Sequence, residues 1–267
     1  MTESDSRVIL VTGGASGIGL ATCRLFARSG YSIAMVDMDR AGLERQHTWF
    51  ASKGYEILTV PCDVSRQADC EKAVAAVLER FGRMDVLFNN AGITQRSLFA
   101  HTRASVFEKV MAVNFFGSLY MTREALDALI ASKGTIVVNE SIAGVAPLVE
   151  RTGYSASKHA LHGLFTSLRC ELRSQGVHVM IVCPGFIKTN LQTRALAGDG
   201  TVASHPQTKI GTQQTPEFVA KKILQGIKKK KTMLVLTFFG RLGYLISRLS
   251  PPLYEHLMTR QFQKTLQ

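Results

Sequence analysis

Residues 12–19 read Thr-Gly-Gly-Ala-Ser-Gly-Ile-Gly and stand between a short apolar run and a segment of helical periodicity. That setting suits the binding of a pyrophosphate. Glycines let the backbone turn tightly and approach phosphate oxygens, and the first turn of a helix offers unpaired N–H groups at the positive end of its dipole. Gly13, Ser16, Gly17, Ile18 and Gly19 are therefore candidate cofactor residues. Plain strand-to-helix turns also use glycine, so the turn alone is a weak signal. Asp37 strengthens it, lying 18 residues after Gly19 at the end of a second apolar run, with Met38 next to it. A carboxylate there can accept hydrogen bonds from both hydroxyls of an adenosine ribose and repels a 2′-phosphate. No lysine or arginine stands inside the turn, although Arg40 is close enough to soften the preference. The cofactor expected is NAD, with NADP the less favoured.

These residues need elements to hold them. Apolar runs at 8–11, 32–36, 56–60, 86–88, 135–138, 177–182 and 233–236 alternate with longer segments of helical periodicity. Continuous rather than alternating apolar character marks strands buried on both faces, as in a parallel sheet covered by helices. The fold class expected is α/β: one doubly wound Rossmann-type domain over 1–236, a seven-stranded parallel sheet with helices on both faces, and a helical extension at 237–267. Helices are expected at 17–29, 66–81 and 106–132, ended by Gly30, Gly82 and Gly134. The stretch at about 190–214, rich in Gly, Thr, Gln and Ala, follows the sixth run and is expected to be a substrate loop.

The chain has 267 residues, 46% of them hydrophobic and 19% charged, an ordinary globular composition. Its net charge of +12 would suggest nucleic acid, but the excess is local. Residues 1–208 carry 21 basic and 18 acidic side chains, and residues 209–267 carry 11 and 2. A nearly neutral body argues against a nucleic-acid partner. Five cysteines without a C-x-x-C pair argue against a disulfide framework and a tetrahedral zinc site, and point to a reducing, cytoplasmic compartment. The seven histidines are scattered, so no metal site is expected. No signal peptide is expected, and the apolar stretch at 233–246 is interrupted by Arg241 and two glycines, short of the roughly 18 residues of a membrane span.

The spacing Thr-Gly-x-x-x-Gly-Ile-Gly resembles that of the short-chain dehydrogenase/reductase family. Further blocks agree in order: Asn89-Asn90-Ala91-Gly92 after the fourth run, Asn114 in the long helix, Ser141 after the fifth run, Tyr154-Ser155-Ala156-Ser157-Lys158 opening the next helix, and Pro184-Gly185-Phe186-Ile187-Lys188-Thr189 after the sixth. The resemblance covers about residues 7–236, and its specificity lies in the ordered set. One departure stands out: many members carry two consecutive serines where this chain reads Glu140-Ser141. Ser141 keeps the 13-residue interval to Tyr154. Glu140 is read either as a buried acid bonded locally or as a modifier of the site's electrostatics.

The resemblance implies an oxidoreductase moving a hydride between NAD(H) and a secondary alcohol or ketone. Such a reaction needs a base, a donor that positions the substrate oxygen, and a fixed cofactor. Tyr154 would be the base. A phenol with a pKa of about 10 needs nearby positive charge, which Lys158 supplies one helical turn away. Ser141 would polarise the substrate oxygen, and Asn114 would order a water in a proton relay. Asp63 and Val64 match the adenine-edge pair; Asn90, Ala91 and Gly92 line the middle of the cofactor; Pro184, Gly185, Ile187 and Thr189 lie beside the nicotinamide. Without that context, a Tyr–Lys pair at this spacing is usually a surface pair. The alternative from another class is a non-catalytic NAD-sensing or membrane-adaptor protein, which a complete catalytic set disfavours.

For the substrate, Gln95, Ala143, Val145, Leu148, Phe186 and the loop at 191–210 are mostly apolar and point to a lipid, steroid-like or aromatic compound, while Arg96, Arg151 or Arg194 could meet an anionic group. In the tail, Phe238, Phe239, Leu242, Leu245, Ile246 and Leu249 recur at three- and four-residue steps; Pro251-Pro252 breaks the pattern before Leu253, Leu257 and Phe262. The face is expected to pack on the core or on another subunit, the other reading being a basic peripheral anchor on an anionic membrane. Family members assemble as homodimers or homotetramers through the helices of Asn114 and Tyr154, and the same is expected here.

Overall fold

The computed structural model describes residues 6–204 and 213–263. Each of the seven apolar runs is a strand: β1 Val8–Thr12, β2 Ser32–Asp37, β3 Ile57–Pro61, β4 Val86–Asn89, β5 Thr135–Asn139, β6 His178–Cys183 and β7 Met233–Val235. All pair in parallel, in the order β3-β2-β1-β4-β5-β6-β7. Alternate residues of each strand serve opposite faces. Val8 and Leu10 pack with Cys70 and Val74 of α3 (Gln67–Phe81), Met121 and Leu129 of α5 (Gly117–Ala131), and Leu161 and Phe165 of α6 (Thr152–Glu171). Ile9 and Val11 pack with Phe26 of α1 (Gly17–Arg28), Phe50 of α2 (Arg40–Ser52), and Val219 and Ile223 of α7 (Pro216–Lys228). The sheet is thus doubly wound, with two apolar layers, as the continuous runs require.

Strand order reverses between β1 and β4, so their C-terminal ends splay apart and open a crevice, the usual ligand position of this architecture. Two expectations about helices need correction. The segment read as one helix over 106–132 is α4 Ala104–Met111, a π-helical turn at Ala112–Phe116, and α5. Gly82 ends α3 in the left-handed conformation, but at the end of α5 it is Lys133, not Gly134, that has positive φ. Gly134 is required for closeness instead: an added Cβ would lie 2.7 Å from the Asp85 carbonyl oxygen.

The tail forms α8 Phe238–Leu249, whose N-cap Thr237 accepts from the Gly240 N–H, and α9 Pro251–Gln261, with proline in its first turn. Its charge and its apolar face are separated. Lys228 to Lys231 lie between the end of α7 and the start of β7, and the Lys231 carbonyl bonds to His178 at the start of β6. That is the N-terminal edge of the sheet, whereas α8 leaves from the C-terminal edge. Only Arg241, Arg248 and Arg260 accompany the apolar face among the described residues. No helix among them is long and apolar enough to cross a membrane.

Candidate active site

The glycine turn is locked to the ends of its neighbouring strands. Thr12 Oγ1 accepts from the backbone N–H groups of Asn90 (2.9 Å) and Ala91 (3.0 Å), while Asn90 Nδ2 donates to the carbonyls of Thr12 (2.9 Å) and Gly13 (3.2 Å). Asn139 Nδ2, at the end of β5, donates to Asn90 Oδ1 at 2.9 Å. Gly13 has φ +63° and packs so tightly that a Cβ would stand 3.0 Å from Ala91 Cα. Gly19 lies behind the turn, where the Gly13 carbonyl leaves no space for a side chain. Ser16 caps α1 in an extended conformation without a side-chain hydrogen bond, so the first-turn N–H groups keep no side-chain partner.

Asp37 ends β2 with both carboxylate oxygens held by backbone, Oδ2 by Ala15 N (3.0 Å) and Oδ1 by Asp39 N (3.1 Å), which fixes its orientation at the crevice. Met38 beside it is 74% exposed. The Asp63 carboxylate turns into its own loop, accepting from the Ser65 N–H and hydroxyl, and Val64 is buried against Gly117. These glycines, the free helix end and the oriented carboxylate fit a dinucleotide: the turn packs so closely on Ala91 and on itself that only glycine lets its backbone take this path into the N-terminus of α1.

α6 then brings in Tyr154 and Lys158. The Lys158 ammonium is buried, donates to the Asn139 carbonyl (2.8 Å) and lies 5.7 Å from the Tyr154 ring centroid. Burial pushes its pKa down to about 8, opposed in part by the charge of Glu140. Burial raises the Tyr154 pKa, a hydrogen bond with the Ser141 side chain and the charge of Arg151 lower it, and Glu140 raises it further. Ser141 caps the short 3-10 turn Ile142–Gly144, its Oγ accepting from Ala143 N at 3.2 Å. Asn114 sits on the π turn, fully buried; its Oδ1 accepts from Ile93 N (2.8 Å) and its Nδ2 donates to Ile93 O (3.0 Å) and Ser157 Oγ (2.9 Å). A Cβ on Gly92 would fall 3.1 Å from Asn114 Oδ1 and 3.8 Å from Lys158 Nζ, so Gly92 keeps open the space next to both.

Glu140 is a buried acid bonded locally, the first of its two readings. It is 2% exposed, its Oε2 lies 3.1 Å from His162 Nδ1, and its Oε1 has no hydrogen-bond partner among the described residues. Burial raises its pKa, against the lowering influence of His162, Lys158 and His159.

A cavity of about 970 Å³ joins these groups, from the glycine turn past Tyr154 to the tail helices. Gly13, Ser16, Gly17, Ile18, Asp37, Met38, Asp63, Val64, Asn90, Ala91, Gly92, Ser141, Leu148, Tyr154, Lys158, Pro184, Gly185, Phe186, Ile187 and Thr189 line it; Gly19 and Asn114 stand behind the wall. Three expected substrate residues do not reach it. Gln95 is fully buried, its Oε1 accepting from Tyr154 N (3.0 Å) and its Nε2 donating to Ser97 O and Thr152 Oγ1 (both 3.3 Å), so it brackets the start of α6. Ala143 and Val145 turn into the interior around the 3-10 turn, close to Ser141 in sequence but facing away from the cavity. Of the expected loop, Leu191, Gln192, Arg194, Leu196 and Gln214 line the cavity, and residues 205–212 lie outside the described residues.

The tail is a wall of this cavity, which sequence reasoning missed. Phe238, Leu242, Ile246, Leu257 and Phe262 face it. Ser247 Oγ donates to Val145 O (2.9 Å) and Tyr254 OH to Pro147 O (2.8 Å), tying both helices to the segment that follows Ser141. One available signal was Gly240, where a Cβ would meet Ile142 Cδ1 at 2.5 Å, a small residue that lets α8 approach. Among the described residues, no group of three or more His, Cys, Asp or Glu side chains is placed to hold a metal.

Comparison with known proteins agrees with this geometry. A family model for short chain dehydrogenases matches residues 7–199. The dehydrogenase/reductase SDR family member 7B of Danio rerio is 32% identical over 97% of this chain and 87% of its own length. The SDR family protein 7-like of Drosophila melanogaster is 31% identical, over 98% and 82%. A short-chain dehydrogenase/reductase from Burkholderia phymatum, solved in complex with NAD, aligns at TM-score 0.77 with 25% identity over 88% of this chain and 90% of its own. An alcohol dehydrogenase from Thermococcus sibiricus, complexed with 5-hydroxy-NADP, aligns at TM-score 0.74 with 25% identity over 86% and 94%. With the ordered motifs, the switch-point crevice and these relatives in agreement, the chain belongs to the short-chain dehydrogenase/reductase family of oxidoreductases.

Proposed function

We propose that this oxidoreductase interconverts a hydrophobic secondary alcohol and its ketone, using NAD(H), with Tyr154 as general acid and base. The observation that carries the reading is the meeting of Tyr154, Lys158 and Ser141 in one cavity with the glycine turn and Asp37. The glycine turn, Asp37 and Lys158 would hold NAD(H), which would supply or accept the hydride. Asp37, through its charge and its fixed orientation, supports NAD over NADP.

The protein's part is to hold the substrate oxygen and move its proton. Ser141 and Tyr154 can both hydrogen-bond one oxygen between them. In oxidation the phenolate of Tyr154 takes the hydroxyl proton; in reduction the phenol returns it. Lys158 places an ammonium on the same face of α6, a charge that favours the phenolate against the burial that raises its pKa. Asn114 acts from behind, fixing Ile93 and, through Ser157, the turn of α6 between Tyr154 and Lys158. The apolar wall from α8 and α9 supports a hydrophobic substrate, and the exposed Phe238, Phe239 and Leu242 at its mouth support uptake from a lipid surface.

The test is Tyr154→Phe, assayed on a panel of aliphatic and aromatic alcohols and ketones with NAD(H) and NADP(H). Losing a positioned acid–base group costs roughly 10²- to 10⁴-fold in rate. NAD binding should persist. Unchanged turnover would remove Tyr154 from the chemistry and the reading with it.

A further inference from the structure

Two arginines line the cavity on the substrate side, both buried: Arg96 at 6% exposure and Arg151 at 7%. Arg151 Nη1 donates to Thr94 Oγ1 (2.6 Å) and Gln95 O (3.2 Å), and Nη2 to Gln192 Oε1 (3.0 Å). Arg96 Nη2 donates to Ala203 O (3.3 Å), and its Nε has no acceptor among the described residues. Every acceptor is neutral. Among the described residues, no ion pair joins either guanidinium to a carboxylate within 4.0 Å.

That is an expensive arrangement. A buried charge is ordinarily paired, and two like charges close enough to act on one another raise the cost. The charge of neighbouring Glu150 offsets part of the cost at Arg151. A guanidinium is the side chain whose planar fork best matches an oxyanion. Arg151 precedes Tyr154 by three residues and its charge acts on the phenol, so an anion held there would sit near the reacting carbon. Arg194, from the loop, lines the same cavity. The opposite wall, from Leu242, Ile246, Leu257 and Phe262, is apolar.

We infer that the substrate is an amphiphile: a secondary alcohol or ketone bearing an oxyanion, carboxylate or phosphate, a few bonds from the reacting carbon, held by Arg96 and Arg151, with an apolar chain laid along α8 and α9. This rests on the function proposed above and narrows its substrate class. The competing explanation is that the guanidiniums serve only to favour the Tyr154 phenolate. In that case a neutral ligand would bind as well as an anionic one.

The test separates binding from turnover. In the NAD complex of the Tyr154→Phe protein, affinities for decanol, decanoate and decyl phosphate are measured by calorimetry, and in the unmodified enzyme kcat/KM is compared for 4-oxododecanoate and its methyl ester. We expect at least one anionic ligand to bind about tenfold or more tightly than decanol, the difference between decanoate and decyl phosphate telling which head group fits. Arg96→Met should erase most of that margin, and Arg96→Lys, which keeps charge but loses the fork, should retain part of it. Equal affinity for all three ligands overturns the inference, whatever the variants do. Preference for the anions without turnover of either ketone would sink the proposed function and leave the anion site standing.

Discussion

The two ends of the cavity are built differently. At the nucleotide end, the glycine turn is tied directly to the neighbouring strand ends: Thr12, Asn90 and Asn139 close a network across β1, β4 and β5. At the substrate end, Arg96 Nε is buried with no partner among the described residues, and one wall comes from helices more than 80 residues after Tyr154. A cofactor shared by many enzymes can be served by a rigid, locally specified cradle. A particular substrate is served by groups whose charge is left for it to neutralise. Substitutions in the glycine turn should therefore weaken cofactor binding itself, and those at the second end should change what is bound.

The largest effect is expected at Gly19. Any side chain there meets the Gly13 carbonyl, so Gly19→Val must displace the turn itself. NAD affinity, followed by quenching of protein fluorescence, should fall by about 100-fold or more, since steric exclusion removes several phosphate contacts together. Near-normal affinity would mean that the turn is pliable and the contrast between the two ends false.

Asp37→Asn sharpens the cofactor choice within the same end. The amide oxygen can still accept one backbone N–H, but the charge that repels a 2′-phosphate is gone. The ratio of kcat/KM for NAD over NADP should fall by about tenfold or more, because a repulsive element has been removed rather than a contact added. A constant ratio would place the selectivity elsewhere, Arg40 being the nearest alternative.

Glu140 lies at the boundary between the two ends, and its effect is smaller and readable in pH. Its negative charge raises the pKa of both Tyr154 and Lys158. Glu140→Gln removes that influence, so the phenolate and the neutral amine both form at lower pH. The rising limb of log kcat/KM for alcohol oxidation should move to lower pH by up to about one unit, with NAD affinity little changed. No movement would mean that the carboxyl, whose own pKa burial raises, is already protonated in the working enzyme.

How much of this the residues disclose in advance follows the same division. The sheet was readable because strands buried on both faces leave unbroken apolar runs, and even three-residue β7 did so. The turn, Asp37, Ser141, Tyr154 and Lys158 were readable because their spacing along the chain is the geometry itself. The π turn under Asn114 carries no marker residue, since Ala112–Phe116 could equally continue an α-helix. Ala143 and Val145 were misplaced because nearness to Ser141 in sequence says nothing about which way a 3-10 turn points its side chains. The apolar face of α8 was seen but not its destination, which depends on a contact with Ile142 about 100 residues away. Arg96 and Arg151 were noticed as cations; only the fold shows them buried with neutral partners.

The tail wall gives the mildest test. Ser247 and Tyr254 each donate one hydrogen bond to the segment after Ser141, at partly exposed positions, and such bonds are worth about 0.5–1.5 kcal/mol apiece. Together, Ser247→Ala and Tyr254→Phe should lower Tm by about 2–12 °C for a chain of this size. The contacts hold a wall, not the reacting groups, so kcat for a short-chain ketone should stay within about twofold while KM for a long-chain one rises severalfold. If both substrates respond alike, α8 and α9 brace Ser141 rather than select a chain, and the substrate end would then resemble the nucleotide end in being rigid first and selective second.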